Sequence, residues 1–361
     1  MKRKNRGASS PTLNDLNDKQ KEAVYHHQGP LLIIAGAGSG KTRTITHKIG
    51  HLIDQLGVSP ENILAVTFTN KAAEEMRDRV ALLTGNTTTT PLISTFHSLA
   101  ARLLRRHAQL IGYENDFAIC DSLDQRRVYR SVYQELGVAS EGLSIRMAQS
   151  IVSRAKNSGR SLENLPYGDL NSSNQSSLLE IYKTYQKHLK RANAMDFDDL
   201  ILNGVKLLEN PKISKQYGAL FRYVLVDEYQ DTNTPQHDLL TSLTRHHNNV
   251  TAVGDEDQSI YAFRGANVAN ILRFEQDFPG ARIIHLEQNY RSSQIILDAA
   301  SALISNNTRR REKTLWTEHP EGPPISLFVA GDANTEALYV SYKIYSYLRE
   351  NKNKTVGVLY R

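Results

Sequence analysis

The sequence predicts an α/β fold, a parallel sheet with helices on both faces, opened once to admit a helical insertion. Three observations predict it. Apolar runs recur along the chain, end in polar residues and give way to amphipathic helical stretches, which is the signature of repeated strand–helix units. The first run, Leu31-Leu32-Ile33-Ile34, enters Ala35-Gly36-Ala37-Gly38-Ser39-Gly40-Lys41-Thr42, a glycine-rich phosphate loop (P-loop) leading into a helix. Between Arg102 and Arg191 helical patterns replace buried strands, with 14 basic residues against 9 acidic.

Composition narrows the class. The 361 residues are 40% hydrophobic, enough for two or three cores. The one cysteine, Cys120, rules out an internal disulfide framework, and no C-x-x-C spacing offers a zinc site. A reducing cytoplasm is the expected home. No apolar run is long enough to span a bilayer, and Met1-Lys2-Arg3-Lys4-Asn5-Arg6 lacks the apolar core of a signal peptide. Residues 1–12 read as a disordered basic tail. The net charge of +6 permits a polyanionic partner without identifying one.

In chain order, Leu16 to Val24 reads as a helix capped by Asn17, with Gln20 offering an amide donor and acceptor that match an adenine edge. The phosphate loop follows. Its glycines let backbone N–H groups turn inward around phosphate oxygens, Lys41 adds a point charge, and the Thr42 hydroxyl suits Mg²⁺. Ala35 stands where the general pattern has glycine. The strand Ile63–Thr69 leads into a helix at Asn70, and Ile93–His97 into a helix from Ser98 to Arg106. His97 has no carboxylate or cysteine at ligand spacing, so it is read as a contact or cap. Residues 171–177 read as a polar connection.

The sheet resumes at Phe221–Val226, which ends in Asp227-Glu228. Adjacent carboxylates at a strand tip divide into two roles, Asp227 holding Mg²⁺ and Glu228 orienting and deprotonating water. Val250–Asp255 repeats the arrangement and continues to Gln258, Tyr261, Phe263 and Arg264. Gln258 is placed to sense a terminal phosphate while Tyr261 and Phe263 meet bases, at roughly 1–3 kcal/mol per stacked base.

The phosphate loop, Thr67-Phe68-Thr69-Asn70-Lys71-Ala72-Ala73, Thr95-Phe96-His97, Asp196-Phe197-Asp198-Asp199-Leu200, Asp227-Glu228-Tyr229-Gln230-Asp231, the Gly254–Tyr261 block and Gln288-Asn289-Tyr290-Arg291-Ser292 occur in the order seen in UvrD/Rep/PcrA-like helicases of superfamily 1. The chain resembles that family from about Leu13 to Arg361. The resemblance implies two RecA-like domains, ATP and Mg²⁺ as ligands, and 3′ to 5′ translocation on single-stranded DNA with unwinding at single/double-strand junctions. It implies that Gln20 reads adenine and Tyr290 stacks on it, that residues 35–42 hold the phosphates, and that Thr42 and Asp227 hold the metal. Lys41, Glu228, Gln258 and Arg291 become the catalytic set. Phe68, Asn70, Phe96, His97, Phe197, Tyr261, Phe263 and Arg264 line the DNA path, Phe263 standing where tryptophan is common in the family.

The implied division is 13–106 and 192–288 for the first RecA-like domain, 107–191 for an inserted DNA-contacting helical subdomain, and 289–361 for an incomplete second RecA-like domain. That last segment is expected to form strands at Ile325–Val329 and Val356–Leu359 around a helix from Asn334 to Leu348, with an apolar flank or open edge. Family members continue for several hundred residues further. A truncated helicase is therefore expected, with an ATP- and DNA-binding module of little turnover and no unwinding as the alternative. The task within repair or replication, and the proteins that would load it, are not specified by these residues.

Overall fold

In the computed structural model, residues 13–85, 89–138, 143–164, 172–308 and 310–360 are described. The basic tail expected over 1–12 lies outside them. The described strands are β1 (Leu31–Ala35), β2 (Ile63–Thr67), β3 (Leu92–Thr95), β4 (Ala118–Cys120), β5 (Ala194–Asp196), β6 (Tyr223–Val226), β7 (Val250–Gly254) and β8 (Arg282–Leu286). Six of them form one parallel sheet in the order β3-β2-β6-β7-β1-β8. Parallel strands need crossovers, and the helices between them cover both faces.

The alternation of side chains along a strand assigns each residue to one of two cores. Leu31 and Ile33 pack with Ile45, Ile49 and Ile63 on one face. Leu32 and Ile34 pack with Leu64, Phe96, Leu200 and Tyr229 on the other. With every residue of β1, β2 and β7 buried, these strands read as unbroken apolar runs. Register then brings their ends out on one edge, β6 stopping two residues short of Gly254: Ile34 lies opposite Gly254 and His285, and Val226 lies opposite Ala252 and Val66. The phosphate loop, Asp227-Glu228 and Asp255 consequently leave the sheet along one edge, where open α/β sheets bind ligands.

A third core belongs to the insertion. Helices Ser122–Leu136, Ile145–Ser158 and Ser172–Arg191 bury Tyr129, Val132, Val152, Leu178, Ile181 and Tyr185 together. A short parallel pair, β4 with β5, closes it; three-residue strands carry too little pattern to stand out in sequence. The residue after β5 begins helix Phe197–Leu208, whose amino end is held by a capping box between Asp196 and Asp199. Lys156, from the insertion, reaches Asp196 Oδ2 at 2.6 Å and Asp199 Oδ1 at 2.8 Å. Tyr185 donates its hydroxyl to Asp196 Oδ2 at 3.0 Å.

Three expectations are corrected. Ser172 to Ser177 are helical, not a connection: the stripe Leu178, Ile181, Tyr185 and Leu189 is buried, and the serines ride on its exposed first turns. The helix expected at Ser98 begins at Phe96, because Thr95 accepts the Ser98 N–H at 3.3 Å and so caps two residues earlier. Ile325–Val329 and Val356–Leu359 are not strands. Among the described residues neither segment has a ladder partner, without which an extended segment is no strand. The expected helix does form, over Ala333–Glu350, and Phe328 stacks on its Tyr339 with ring centroids 3.8 Å apart.

Lys156 is the cation between two buried carboxylates, so its removal strands both. Lys156→Met should cost about 3–5 kcal/mol, measured as reduced stability in denaturant unfolding followed by circular dichroism. A change under about 1 kcal/mol, the range of an exposed pair, would show the network to be dispensable.

Candidate functional site

The phosphate loop depends on glycine at two positions. Gly38 and Gly40 have φ of 72° and 84°, a left-handed conformation that other residues enter only at a cost. Space is short too: a Cβ on Gly40 would stand 2.7 Å from Gln20 Nε2. Ser39 donates its hydroxyl to Gly36 O at 2.8 Å and tightens the turn. Gly40 is the N-cap of helix Lys41–Asp54, so Lys41 and Thr42 sit on its first turn, where N–H groups and the helix dipole favour an anion.

Side chains from distant parts of the sequence converge there. Lys41 Nζ lies 3.0 Å from Glu228 Oε2 and 3.4 Å from Gln258 Oε1. Thr42 Oγ1 lies 3.4 Å from Asp227 Oδ2. The two carboxylates separate because Glu228 adopts φ 51°, a strained conformation for a side chain with a Cβ; Asp227 turns to Thr42 and Glu228 to Lys41. Gln230 holds this arrangement, donating to Glu228 Oε2 at 2.9 Å and accepting the Asp255 N–H at 3.0 Å. Gln258 in turn donates Nε2 to Asp255 Oδ2.

Burial first, and then the neighbouring Glu228 charge, push the Asp227 carboxyl up to about 6. The same two causes push Asp231 up to about 6. Asp227 accepts hydrogen bonds from Thr42 and from the Glu228 N–H at 3.0 Å, leaving a buried carboxylate suited to a cation. Among the described residues no group of three or more His, Cys, Asp or Glu forms a metal cage. One carboxylate beside one hydroxyl would suit Mg²⁺, a hard cation commonly held by few protein oxygens.

Beside Ser39 and Gly40, Gln20 is 1% exposed. Its Nε2 donates to Ser39 O at 2.9 Å and its Oε1 accepts the Asn17 N–H at 3.1 Å, so both amide functions have protein partners here. Asn17 Nδ2 donates to Tyr290 OH at 2.8 Å and to Gln288 Oε1 at 3.0 Å. The 288–291 segment closes over the loop. Tyr290 N–H donates to Gly38 O at 2.9 Å, Asn289 Nδ2 donates to Ala37 O at 2.5 Å, and a Cβ on Gly38 would stand 2.7 Å from Arg291 Cβ.

A second concavity, a groove of about 490 Å³, brings together Phe68, Phe96, His97, Phe197, Phe263 and Arg264. Tyr261 stacks on Phe68 with centroids 5.0 Å apart, and His97 meets the Phe197 ring edge-on at 5.9 Å. The Arg264 guanidinium lies 5.3 Å from the Tyr261 ring centroid and 5.6 Å from that of Phe263. Phe263 is 78% exposed, an aromatic face presented to solvent. Burial pushes His97 down from its ordinary value, which favours a neutral ring over a phosphate-pairing cation. Asn70 is exposed at the start of helix Asn70–Leu83 and is not among the groove-lining residues.

Several residues here escaped the sequence reading. Asp198 accepts from Ser153 Oγ at 2.7 Å and from Asn157 Nδ2 at 2.9 Å, and Asn157 accepts from Asn233 Nδ2 at 2.6 Å; all four line the groove, Ser153 and Asn157 from the insertion side. Asp231 lines both the groove and the nucleotide-side pocket. Its position in the polar run after β6 was the available signal.

Residues 16–279 match the family described as UvrD/REP helicase N-terminal domain, and residues 284–361 match the UvrD-like helicase C-terminal domain. The chain belongs to the UvrD/REP helicase family. It is 44% identical over 351 residues to the ATP-dependent DNA helicase PcrA of Staphylococcus epidermidis, covering 97% of this chain and 48% of that protein. The PcrA of Staphylococcus aureus shows the same identity and coverage. The chain thus spans about half the length of these curated relatives.

Because Asp227 is raised in the folded state, its charge opposes folding above pH 6, and that opposition disappears below the unfolded value near 3.8. Asp227→Asn should therefore stabilise the nucleotide-free protein at pH 8 by on the order of 2–3 kcal/mol. The gain should shrink as pH falls through about 6. Thermal unfolding of both proteins across that range checks it; a gain independent of pH would mean the carboxylate is not the cause.

Proposed function

We propose that this chain acts as an ATP-dependent DNA helicase motor that grips single-stranded DNA. The observation that carries this is the convergence on the Lys41 ammonium: Glu228 and Gln258 reach it, with the Thr42–Asp227 pair beside them. The aromatic groove lies one wall away, sharing Thr67, Phe68, Thr69 and Asp231 with the nucleotide side. The curated relatives' names support the same activity.

In the proposed mechanism residues 35–42 and Lys41 hold the phosphates, while Gln20 and Tyr290 sit at the adenine end. Thr42 and Asp227 would hold Mg²⁺, which when bound neutralises charge on the terminal phosphates. Glu228 pairs with Lys41 at 3.0 Å. A phosphate that takes Lys41 releases Glu228 to orient water and accept its proton. Gln258 faces the same point, and Arg291 approaches the loop at Gly38, so both are assigned to the terminal phosphate.

Phe263, Tyr261, Phe68 and Phe197 offer stacking faces, which fit bases of a single strand without reading their order. Single/double-strand junctions, 3′ to 5′ movement and a cytoplasmic setting belong to the same proposal. So does the division into a first RecA-like domain, an insertion over 107–191 and a second motor segment from 289, for which the separate family matches over 16–279 and 284–361 are the support.

Lys41→Ala should remove DNA-stimulated ATP hydrolysis and weaken a fluorescent ATP analogue. Glu228→Gln should keep nucleotide affinity and lower kcat by about 10²–10⁴. Unchanged hydrolysis in both would exclude this site. Phe263→Ala should weaken a single-stranded oligonucleotide by about 5–150-fold, the equivalent of one lost stack, in fluorescence anisotropy with ATP affinity retained. Equal losses of both ligands would point to misfolding.

A further inference from the structure

After helix Gln294–Ile304 the chain runs back across the phosphate loop as a strap. Leu315 lies on the loop so closely that a Cβ on Gly36 would stand 2.4 Å from Leu315 Cδ2. Trp316 bridges to Gln288, and Thr317 donates its hydroxyl to Asn289 O at 2.8 Å. Just before this contact the strap drives a basic cluster into the acidic turn that follows β7. Lys313 reaches Asp255 and, at 2.7 Å, Asp257 Oδ2, with Glu256 Oε1 at 3.7 Å. Arg310 pairs with Asp257 Oδ2 at 3.0 Å, and the Arg311 N–H donates to Glu256 Oε1 at 2.9 Å. The Lys313 side chain is 4% exposed, and those of Asp255 and Glu256 are 3% and 1% exposed.

A buried ammonium among three carboxylates is a fixed element. Burial works against its charge, but the Asp255 carboxylate and its neighbours outweigh that and raise Lys313 above its ordinary value. Asp255 divides its two oxygens: Oδ1 faces Lys313 and Oδ2 accepts Gln258 Nε2. An amide has one donating and one accepting end. With Nε2 committed to Asp255, Gln258 must present Oε1 to Lys41, as it does at 3.4 Å. A flipped amide would set N–H against ammonium.

We propose that Lys313 is a positioning residue for ATP hydrolysis: it anchors Asp255, and Asp255 fixes the Gln258 amide with its accepting end on Lys41, the ammonium assigned to the phosphates. This rests on the function proposed above. The strap thereby ties the covering of the phosphate loop to the orientation of its sensor glutamine, and neither Lys313 nor Asp255 touches Lys41 itself.

The test compares Lys313→Met, Lys313→Arg and Gln258→Ala for kcat, for ADP affinity, and for affinity toward ADP with aluminium fluoride, a mimic of the transferring phosphoryl group that needs no turnover. Lys313→Met should lower kcat and weaken the aluminium fluoride complex by about 10–100-fold, the size of loss seen when an outer partner of a site is removed, with ADP affinity unchanged. Lys313→Arg should restore most of the loss, and adding Lys313→Met to Gln258→Ala should cause no further loss. Should Lys313→Met fail to fold, Lys313→Met/Asp255→Leu removes one charge of each sign and should show the same split. Wild-type kcat and aluminium fluoride affinity in the Lys313 variant, while Lys41→Ala is inactive, would overturn the positioning role alone. Additive losses with Gln258→Ala would also overturn it. Full hydrolysis in Lys41→Ala would instead overturn the site, and this proposal with it.

Discussion

The constraint on which the rest of this structure depends is the parallel register of β1, β6 and β7. With Ile34 opposite Gly254, and Val226 opposite Ala252, the three strands end on one edge of the sheet, β6 two residues short of Gly254. The phosphate loop, the Asp227-Glu228 tip and the Asp255 turn then have no choice but to meet. A slip of one residue in β6 would exchange its side chains between the two cores, moving Val226 to the opposite face and pulling the carboxylates from Lys41. The apolar runs are thus the positioning device, and the polar residues at their ends inherit that position.

Charge is concentrated at this edge at a cost to the fold. Asp227 is buried and raised, Glu228 occupies a left-handed backbone conformation, and Asp231 has a buried oxygen without a hydrogen-bond partner among the described residues. None of these would be chosen for stability. Against them stand two buried ion clusters in which each carboxylate meets a cation, Lys156 with Asp196 and Asp199, and Lys313 with Asp255, Glu256 and Asp257. Asp227, Glu228 and Asp231 line the nucleotide-side pocket, whereas the clustered acids fasten surrounding segments together.

What was legible in the sequence follows the same division. The strands were readable because both faces are buried, leaving unbroken apolar runs. The loop was readable because its glycines answer a steric demand at Gly38 and Gly40. The pairings that fasten the site were not, since Lys156 with Asp196 or Lys313 with Asp255 joins residues 40 and 58 positions apart and no local pattern marks either. The 325–329 and 356–359 segments misled for the converse reason: their composition suits strands, but strand formation requires a neighbour. Gln20 shows a finer limit. Its amide chemistry was legible, whereas its present partners, Ser39 O and the Asn17 N–H, depend on how a helix docks.

The wall between the two concavities gives the proposed motor a physical route for coupling. Thr67 ends β2 and Phe68 and Thr69 follow it, while Asp231 follows β6; all four border both spaces. Phe68 carries Tyr261 on its ring, and Tyr261 lies three residues from Gln258. A change of partner at Lys41 therefore bears on Glu228, through Gln230 on Asp255, and through Gln258 on the turn that holds the stacking aromatics. Coupling requires an element with two arrangements that both ligands bias. Glu228 meets the structural half of that requirement: its backbone is held off the favoured regions while its carboxylate is held by Lys41 and Gln230. A ligand that takes Lys41 removes one of those two restraints, so the strained turn is where nucleotide state would first become a change of shape beneath the groove.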